Sequence, residues 1–458
     1  MSNSEEDAAL LDYRFAWRWL LPLCFEHKKE LYGFTEKEVE FWQSAHQYDA
    51  FPSEPNGAEV SIIVDNQLPE FIQKDTLDRV ESYCVMGSAD VIAAWARWDS
   101  GTFTTVHEYG LLEPKNPRLA VPLGDRQWTS EALSLHRPGR IIARAAMCML
   151  KLCSQFGFDK PLRKKVLRIA VKGADVLPSG AYSLGLDLAT SAAMGDFALY
   201  FGAEGKKRKT VILPLGSAQT SILKYGESVA ARKSLLNEAA ALKSLSNTAL
   251  VTRVPRLLEL SNANGQVTLH QSYRARVWAP VRRLKTSASD LLADLSKLNR
   301  QELGLEEVLS KIEARFPQGI NSQLSDDVAV VKAQLNVLAV TGRSIIGHRS
   351  HGDFAPWNIS WTKQGLFVFD WEDSKEWDVA LGDAFYLVVA PAVQIAGRLS
   401  IKDLEMRALS FGRKLSAAAG LGIDDIRVYW SLWLLDRMGM QPHAVYSQLI
   451  ARLASTWK

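Results

Sequence analysis

The run His351-Gly352-Asp353-Phe354-Ala355-Pro356-Trp357-Asn358, followed by Leu366-Phe367-Val368-Phe369-Asp370-Trp371-Glu372, decides how the rest of this sequence is read. The first run reads as a loop that offers a carboxylate at Asp353 and, five residues on, an amide oxygen at Asn358. A short hairpin later, Asp370 emerges from four apolar residues. A carboxylate at the end of a buried strand is costly unless a cation meets it, and hard oxygen donors of this kind suit Mg²⁺. Asp353 is then left to orient or deprotonate a hydroxyl or amine nucleophile. A metal clamp together with a group that positions the attacking atom is the equipment of phosphoryl transfer.

Working upstream, the hydrophobic period is two from Phe197 to Tyr225. Phe197-Ala198-Leu199-Tyr200-Phe201, Thr210-Val211-Ile212-Leu213-Pro214 and Thr220-Ser221-Ile222-Leu223-Lys224-Tyr225 read as an antiparallel meander joined by short turns. A helix follows over about 228–245, and Val267 to Gln271 supplies a further strand. Lys224 is unexpected in a strand on β-propensity. Glu238 shares the helical spacing of Leu235, Leu242 and Leu245, which places a carboxylate on the apolar stripe. Each is the natural partner of the other, and the pair would hold the ammonium towards nucleotide phosphates. The turn Gly202-Ala203-Glu204-Gly205-Lys206-Lys207-Arg208-Lys209 is no G-x-G-x-x-G, but Gly202 and Gly205 would let backbone amides approach phosphate.

These residues resemble the aminoglycoside phosphotransferase and choline kinase family, which has the protein-kinase-like fold. The resemblance rests on HGDFAPWN and FDWE, is supported by Lys224 and Glu238, and covers about residues 190–458. It implies that Asp353 is the catalytic aspartate and His351 the scaffold histidine of its loop. It further implies that Asn358 and Asp370 are Mg²⁺ ligands, that Lys224 and Glu238 anchor the phosphates of ATP, and that Asp383 supports the loop from behind. Asp370-Trp371-Glu372 lacks the glycine of the protein-kinase Asp-Phe-Gly, and no long activation segment follows, which points to a small-molecule kinase.

The remaining length calls for something in front. At 458 residues the chain exceeds one ordinary core. Glu59 to Asp65 and Thr104 to Tyr109 read as strands, Glu131 to Phe156 as helical, and 157–194, punctuated by glycine and proline, as connector. The strand ending in Asp65, the closing strand and Pro117-Arg118-Leu119-Ala120-Val121-Pro122-Leu123 resemble the second half of a methyltransferase-like domain found in bacterial surface-polysaccharide proteins. No glycine-rich strand–turn–helix precedes Asp65, so such a domain would be truncated or non-catalytic. The alternation of Tyr13, Phe15, Trp17 and Trp19 reads as a half-buried segment rather than a base-stacking platform.

Composition narrows the class. With 54 Lys+Arg against 51 Asp+Glu the net charge is +3, too balanced to advertise general nucleic-acid binding or a polybasic membrane anchor. Four scattered cysteines offer no disulfide framework or zinc spacing, and His348 with His351 lacks a third ligand. The acidic start Glu5-Glu6-Asp7 carries no secretory signal, and the apolar run 385–397 contains Pro391 and reads as a core helix rather than a membrane span. The expectation is therefore a cytoplasmic α+β protein. It comprises an α/β domain at 1–125, a helical connector at 126–189, a strand-rich nucleotide lobe at 190–275 and a helical lobe at 276–458. The expected function is ATP- and Mg²⁺-dependent transfer of phosphate to a small-molecule acceptor, a sugar or sugar derivative. The competing class is a kinase-like adaptor without catalysis in surface-polysaccharide biosynthesis.

Overall fold

The computed structural model describes residues 28–32, 60–65, 67–69, 80–99, 101–103, 105–112, 118–135, 141–172, 197–202, 207–215, 221–226, 228–263, 266–275, 277, 280–314, 326–395 and 399–457. The aromatic run at 13–19 and Gly205 lie outside them. The chain divides into two compact units, Met1–Leu235 with Leu258–Tyr273, and Leu236–Leu257 with Arg274–Lys458.

Among the described residues, unit 1 is built on one sheet of 11 strands. In chain order they are β1 (Lys28–Tyr32), β2 (Val60–Asp65), β3 (Val80–Gly87), β4 (Thr105–Leu112), β5 (Leu119–Pro122), β6 (Val166–Val171), β7 (Phe197–Tyr200), β8 (Thr210–Pro214), β9 (Ser221–Gly226), β10 (Leu257–Ala263) and β11 (Gln266–Ser272). Across the sheet the order is β1-β2-β3-β6-β4-β5-β7-β8-β9-β11-β10. β1, β2 and β3 pair in parallel, and from β3 to β11 the pairs turn antiparallel. The expected meander forms as β7, β8 and β9, with Val211 opposite Lys224. Three helices accompany the early strands: α1 (Ala89–Asp99), α2 (Arg126–Ala132) and α3 (Ile141–Gln155). The Asp125 carboxylate caps α2 by accepting from the amides of Gln127 and Trp128. Beyond α3, Gly157 at φ +83° turns the chain, and Phe158 N donates to Cys153 O.

One stretch differs from the sequence reading. Val166–Val171, read as connector, is β6 and lies between β3 and β4. Its centre is Arg168, whose charge is met by Tyr83, Asp99 and Glu108. The strand is thus stable for a reason that glycine and proline punctuation conceals. The core runs on from this part into the meander: Val80, Tyr83, Leu119, Val121 and Val166 cluster with Ala198, Leu213 and Ile222.

Unit 2 contains most of α4 (Val229–Leu245), then α5 (Val281–Leu295), β12 (Gln301–Gly304), α6 (Leu305–Glu313), α7 (Asp326–Val340), β13 (Ser344–Ser350), β14 (Ile359–Thr362), β15 (Gly365–Val368), β16 (Lys375–Val379), α8 (Gly382–Ile395), α9 (Ile401–Ala418), α10 (Ile426–Met440) and α11 (Ala444–Trp457). β13 is the middle of a three-stranded antiparallel sheet with β12 and β16, and β14 pairs with β15 as a hairpin. Phe385 of α8 packs edge-on against Trp430 of α10, which stacks on Trp433. The apolar run that begins at Phe385 is therefore core, and no helix among the described residues is long and apolar enough to cross a membrane. This packing anchors α8, and the Tyr429 hydroxyl of α10 accepts from Ile346 N of β13; α8 and β13 hold the loop between β13 and β14.

Candidate active site

The loop leaves β13 at His351, and its backbone is held from behind. The Asp383 carboxylate, in the first turn of α8, accepts from His351 N at 2.7 Å and from Gly352 N at 3.0 Å. Gly352 has φ +84°, and a Cβ there would lie 2.0 Å from the carbonyl oxygen of Asp373, so only glycine fits. Arg437 of α10 donates to Gly352 O at 2.6 Å, and its guanidinium lies over the Tyr386 ring.

His351 is wholly buried. Asp353 N donates to its Nδ1 at 3.2 Å, and Nε2 lies 3.1 Å from Phe369 O. A donor on one nitrogen and a carbonyl on the other select the tautomer with its proton on Nε2. The imidazole therefore ties the loop to the strand end that precedes Asp370. It packs against Trp371, which is itself fully buried and donates to Val368 O.

Asn358 Nδ2 donates to the Asp353 carbonyl at 2.9 Å and to Asp353 Oδ2 at 2.8 Å. The amide nitrogen is the end turned to Asp353, which leaves its oxygen facing away as a hard donor. The Asp353 carboxyl is pushed above the usual carboxylate range by burial, against the opposing hydrogen bond from the Tyr386 hydroxyl. The negative charges of Asp370 and Asp373 push it further the same way. Asp370 itself adopts the left-handed conformation, φ 69° and ψ 58°, at the head of a short 3₁₀ turn over Trp371–Asp373. A non-glycine residue held there is strain of the kind that collects at working sites.

Asp353, His351, Asn358 and Asp370 are thus brought together. Lys224 lies buried on β9 of unit 1, and Glu238 lies wholly buried on α4 within unit 2. Gly202 has φ +48°, and a Cβ on it would lie 3.0 Å from Lys209 O, in the turn between β7 and β8. Sequence reasoning missed Tyr386 and Arg437. Arg437 stands in the last turn of a mostly apolar helix, a place where helix-end electrostatics alone would explain a cation, so nothing local pointed to the loop. Asn237, next to Glu238, donates to the carbonyls of Glu372 and Ser374, and so ties α4 to the chain just past Asp370.

The donor set suits a divalent cation. One amide oxygen and the Asp370 carboxylate sit beside a further carboxyl that repulsion already disturbs. Among the described residues no group of three or more His, Cys, Asp or Glu is placed to hold a metal unaided. Mg²⁺ is commonly held by one or two protein oxygens with substrate phosphates completing the shell, so a sparse set matches it.

Residues 207–384 match the profile of the phosphotransferase enzyme family, APH. The matched stretch contains Lys224, Glu238, His351, Asp353, Asn358, Asp370 and Asp383, and this part of the chain is a mixed helix-and-sheet, kinase-like domain. The match supports phosphotransferase chemistry for this stretch. No curated protein matches the sequence. Among solved structures, the chain is similar to the ternary complex of APH(2'')-IIa with streptomycin and ATP, at 13% identity over 61% of this chain and 96% of that one, TM-score 0.39. It is also similar to APH(3'')-Id from Streptomyces rimosus with ADP and streptomycin, at 15% identity over 57% and 99%, TM-score 0.36. A further similar structure is amicoumacin kinase hAmiN with AMP-PNP and Ca²⁺, at 16% identity over 59% and 91%, TM-score 0.36.

Proposed function

We propose that this chain transfers the γ-phosphate of ATP, with Mg²⁺, to a hydroxyl or amine of a small molecule, a sugar or sugar-derived compound. The observation that carries the reading is the pinned Asp353 carboxylate, held by Asn358 Nδ2 at 2.8 Å inside a stretch that matches a phosphotransferase family. Asp353 orients the acceptor and takes up its hydrogen bond or proton as the phosphorus is attacked. Asn358 and Tyr386 fix the rotamer of that carboxylate, so the acceptor meets it in one geometry. Asn358 and Asp370 would hold Mg²⁺, which when bound offsets the negative charge on the transferring phosphate oxygens. Lys224, Glu238, Gly202 and Gly205 are assigned to the nucleotide phosphates on sequence grounds. For residues 1–125 we propose a non-catalytic α/β domain of the methyltransferase-like kind. The parallel strands β1, β2 and β3 support its α/β character.

The test separates binding from turnover. Mg–ATP at a hundredfold excess over its dissociation constant raises stability by about 2.7 kcal/mol, which a thermal-shift assay reads. Asp353→Asn keeps that shift and loses turnover by about a thousandfold in an ADP-release assay, whereas Asp370→Ala loses the shift. Equal turnover in Asp353→Asn and wild type would sink the assignment. No shift with millimolar nucleotide would favour the adaptor reading.

A further inference from the structure

The helix α3 carries an apolar face that the core does not use. Met147 and Leu150 pack towards the unit 1 core, and Ser154 on the same side is buried. On the opposite side Ile142 is 85% exposed, Met149 60%, Leu152 49% and Phe156 67%, with Phe158 beyond the helix end at 68%. Ile142, Met149 and Phe156 recur every seven residues, and Leu152 falls three after Met149, so they form one stripe along the helix. Isolated exposed apolar residues are ordinary, but a contiguous stripe ending in two phenylalanines marks a docking surface.

Its surroundings say what docks there. From Ile141 to Lys172 the sequence has eight Lys and Arg and a single acidic residue, Asp159, in a protein whose net charge is only +3. Arg163 and Arg168 pair with Asp99, Glu108 and Asp159, which leaves six outside those pairs. Lys160 and Lys164 are exposed just past the phenylalanines. The Arg126 guanidinium reaches the same end, 2.8 Å from where a Cβ on Gly157 would lie. A second copy of this chain would bring two such basic segments together, which charge repulsion opposes. An apolar helix face with aromatic residues at one end and cations around it matches the headgroup boundary of an anionic bilayer.

We propose that the outward face of α3 docks unit 1 on an anionic lipid surface, with Ile142, Met149 and Phe156 in the headgroup boundary and Lys160 and Lys164 on the lipid phosphates. The binding is peripheral and independent of the phosphotransferase reading.

The experiment is co-sedimentation of the full chain with vesicles of phosphatidylcholine alone or with 30% phosphatidylserine. The expected result is at least about tenfold tighter binding to the anionic vesicles, lost when NaCl is raised from about 0.1 to 0.5 M. The triple substitution Ile142→Ser, Met149→Ser, Phe156→Ser weakens binding by about tenfold or more with an unchanged melting temperature. Lys160→Gln with Lys164→Gln weakens it and flattens the salt dependence. Val337→Ser with Val340→Ser, equally exposed apolar residues on α7, leaves it unchanged. No binding to anionic vesicles overturns the proposal, and so does equal loss in the α7 control. A concentration-dependent dimer in sedimentation velocity that the α3 triple substitution abolishes would assign the face to a second copy and overturn it too.

Discussion

Two buried polar clusters, one in each unit, obey the same physics and end differently. In unit 1, Arg168 donates from Nε to the Tyr83 hydroxyl, from Nη1 to Glu108 and from Nη2 to Asp99, each at 2.7 Å. Tyr83 in turn donates to Asp99, and burial holds its hydroxyl above the ordinary tyrosine range. Each of the three nitrogens of that guanidinium is engaged by its own chain, and the cluster holds α1, β3, β4 and β6 together. In unit 2 the backbone of the 351–358 loop is equally well held, by Asp383, His351 and Arg437. The Asp353 carboxyl at its centre, however, stays half-buried and pushed above the carboxylate range. A polar network becomes a site when its scaffold is satisfied and one group is left strained and reachable.

The contrast breaks most visibly at Arg168. Arg168→Met leaves Asp99 without its cation and Glu108 with only the longer pair to Arg163 at 3.6 Å, and costs about 3–5 kcal/mol of unfolding free energy, read by urea titration. Turnover per folded molecule is unchanged if the cluster is purely structural, and a specific kinetic defect would make it more than a scaffold. Next comes Asp383→Ala, which strands two buried amides and costs about 2–3 kcal/mol. Unlike Arg168→Met it lowers kcat more than it raises KM, because it frees the loop that carries Asp353. The smallest effect is a pH slope. His348 is buried, its Nε2 has no partner, and burial holds it below the ordinary value of 6.5. The unfolded chain therefore takes up a proton below about pH 6.5 that the folded chain refuses, so stability is intact above that pH and falls as pH drops below it. The slope reaches about 1.4 kcal/mol per pH unit from this residue, and His348→Phe flattens it in melting curves taken between about pH 5 and 7.

How far the sequence could be read follows from how local each feature is. The 351–358 loop was legible because its carboxylate, amide and histidine lie within eight residues, close enough for spacing alone to imply their meeting. The meander was legible through its period of two, and the burial of Glu238 through the helical spacing of its leucine neighbours. Tyr386 and Arg437 were not, since they reach the loop from helices 33 and 84 residues past Asp353 and only packing brings them there. Strand β6 was hidden because glycine and proline on either side mark its stretch as connector, and nothing nearby in sequence offsets its central arginine. Its justification lies in Tyr83, Asp99 and Glu108, which are 85, 69 and 60 residues away. Long-range satisfaction of a buried charge has no sequence signature.

The pairing of β5 with β7, Leu119 opposite Tyr200 and Ala120 opposite Leu199, has a practical corollary. Phe201 N adds a further bond to Arg118 O at 2.9 Å. A gene fragment cut at residue 190, where the kinase-like resemblance begins, would not yield a free-standing module. It would expose the flank of β7 as a raw edge, with Ala198, Leu213 and Ile222 stripped of their covering neighbours, and such edges seed aggregation. The front of this protein is the selvedge of the cloth, and expression of the phosphotransferase portion depends on keeping it attached.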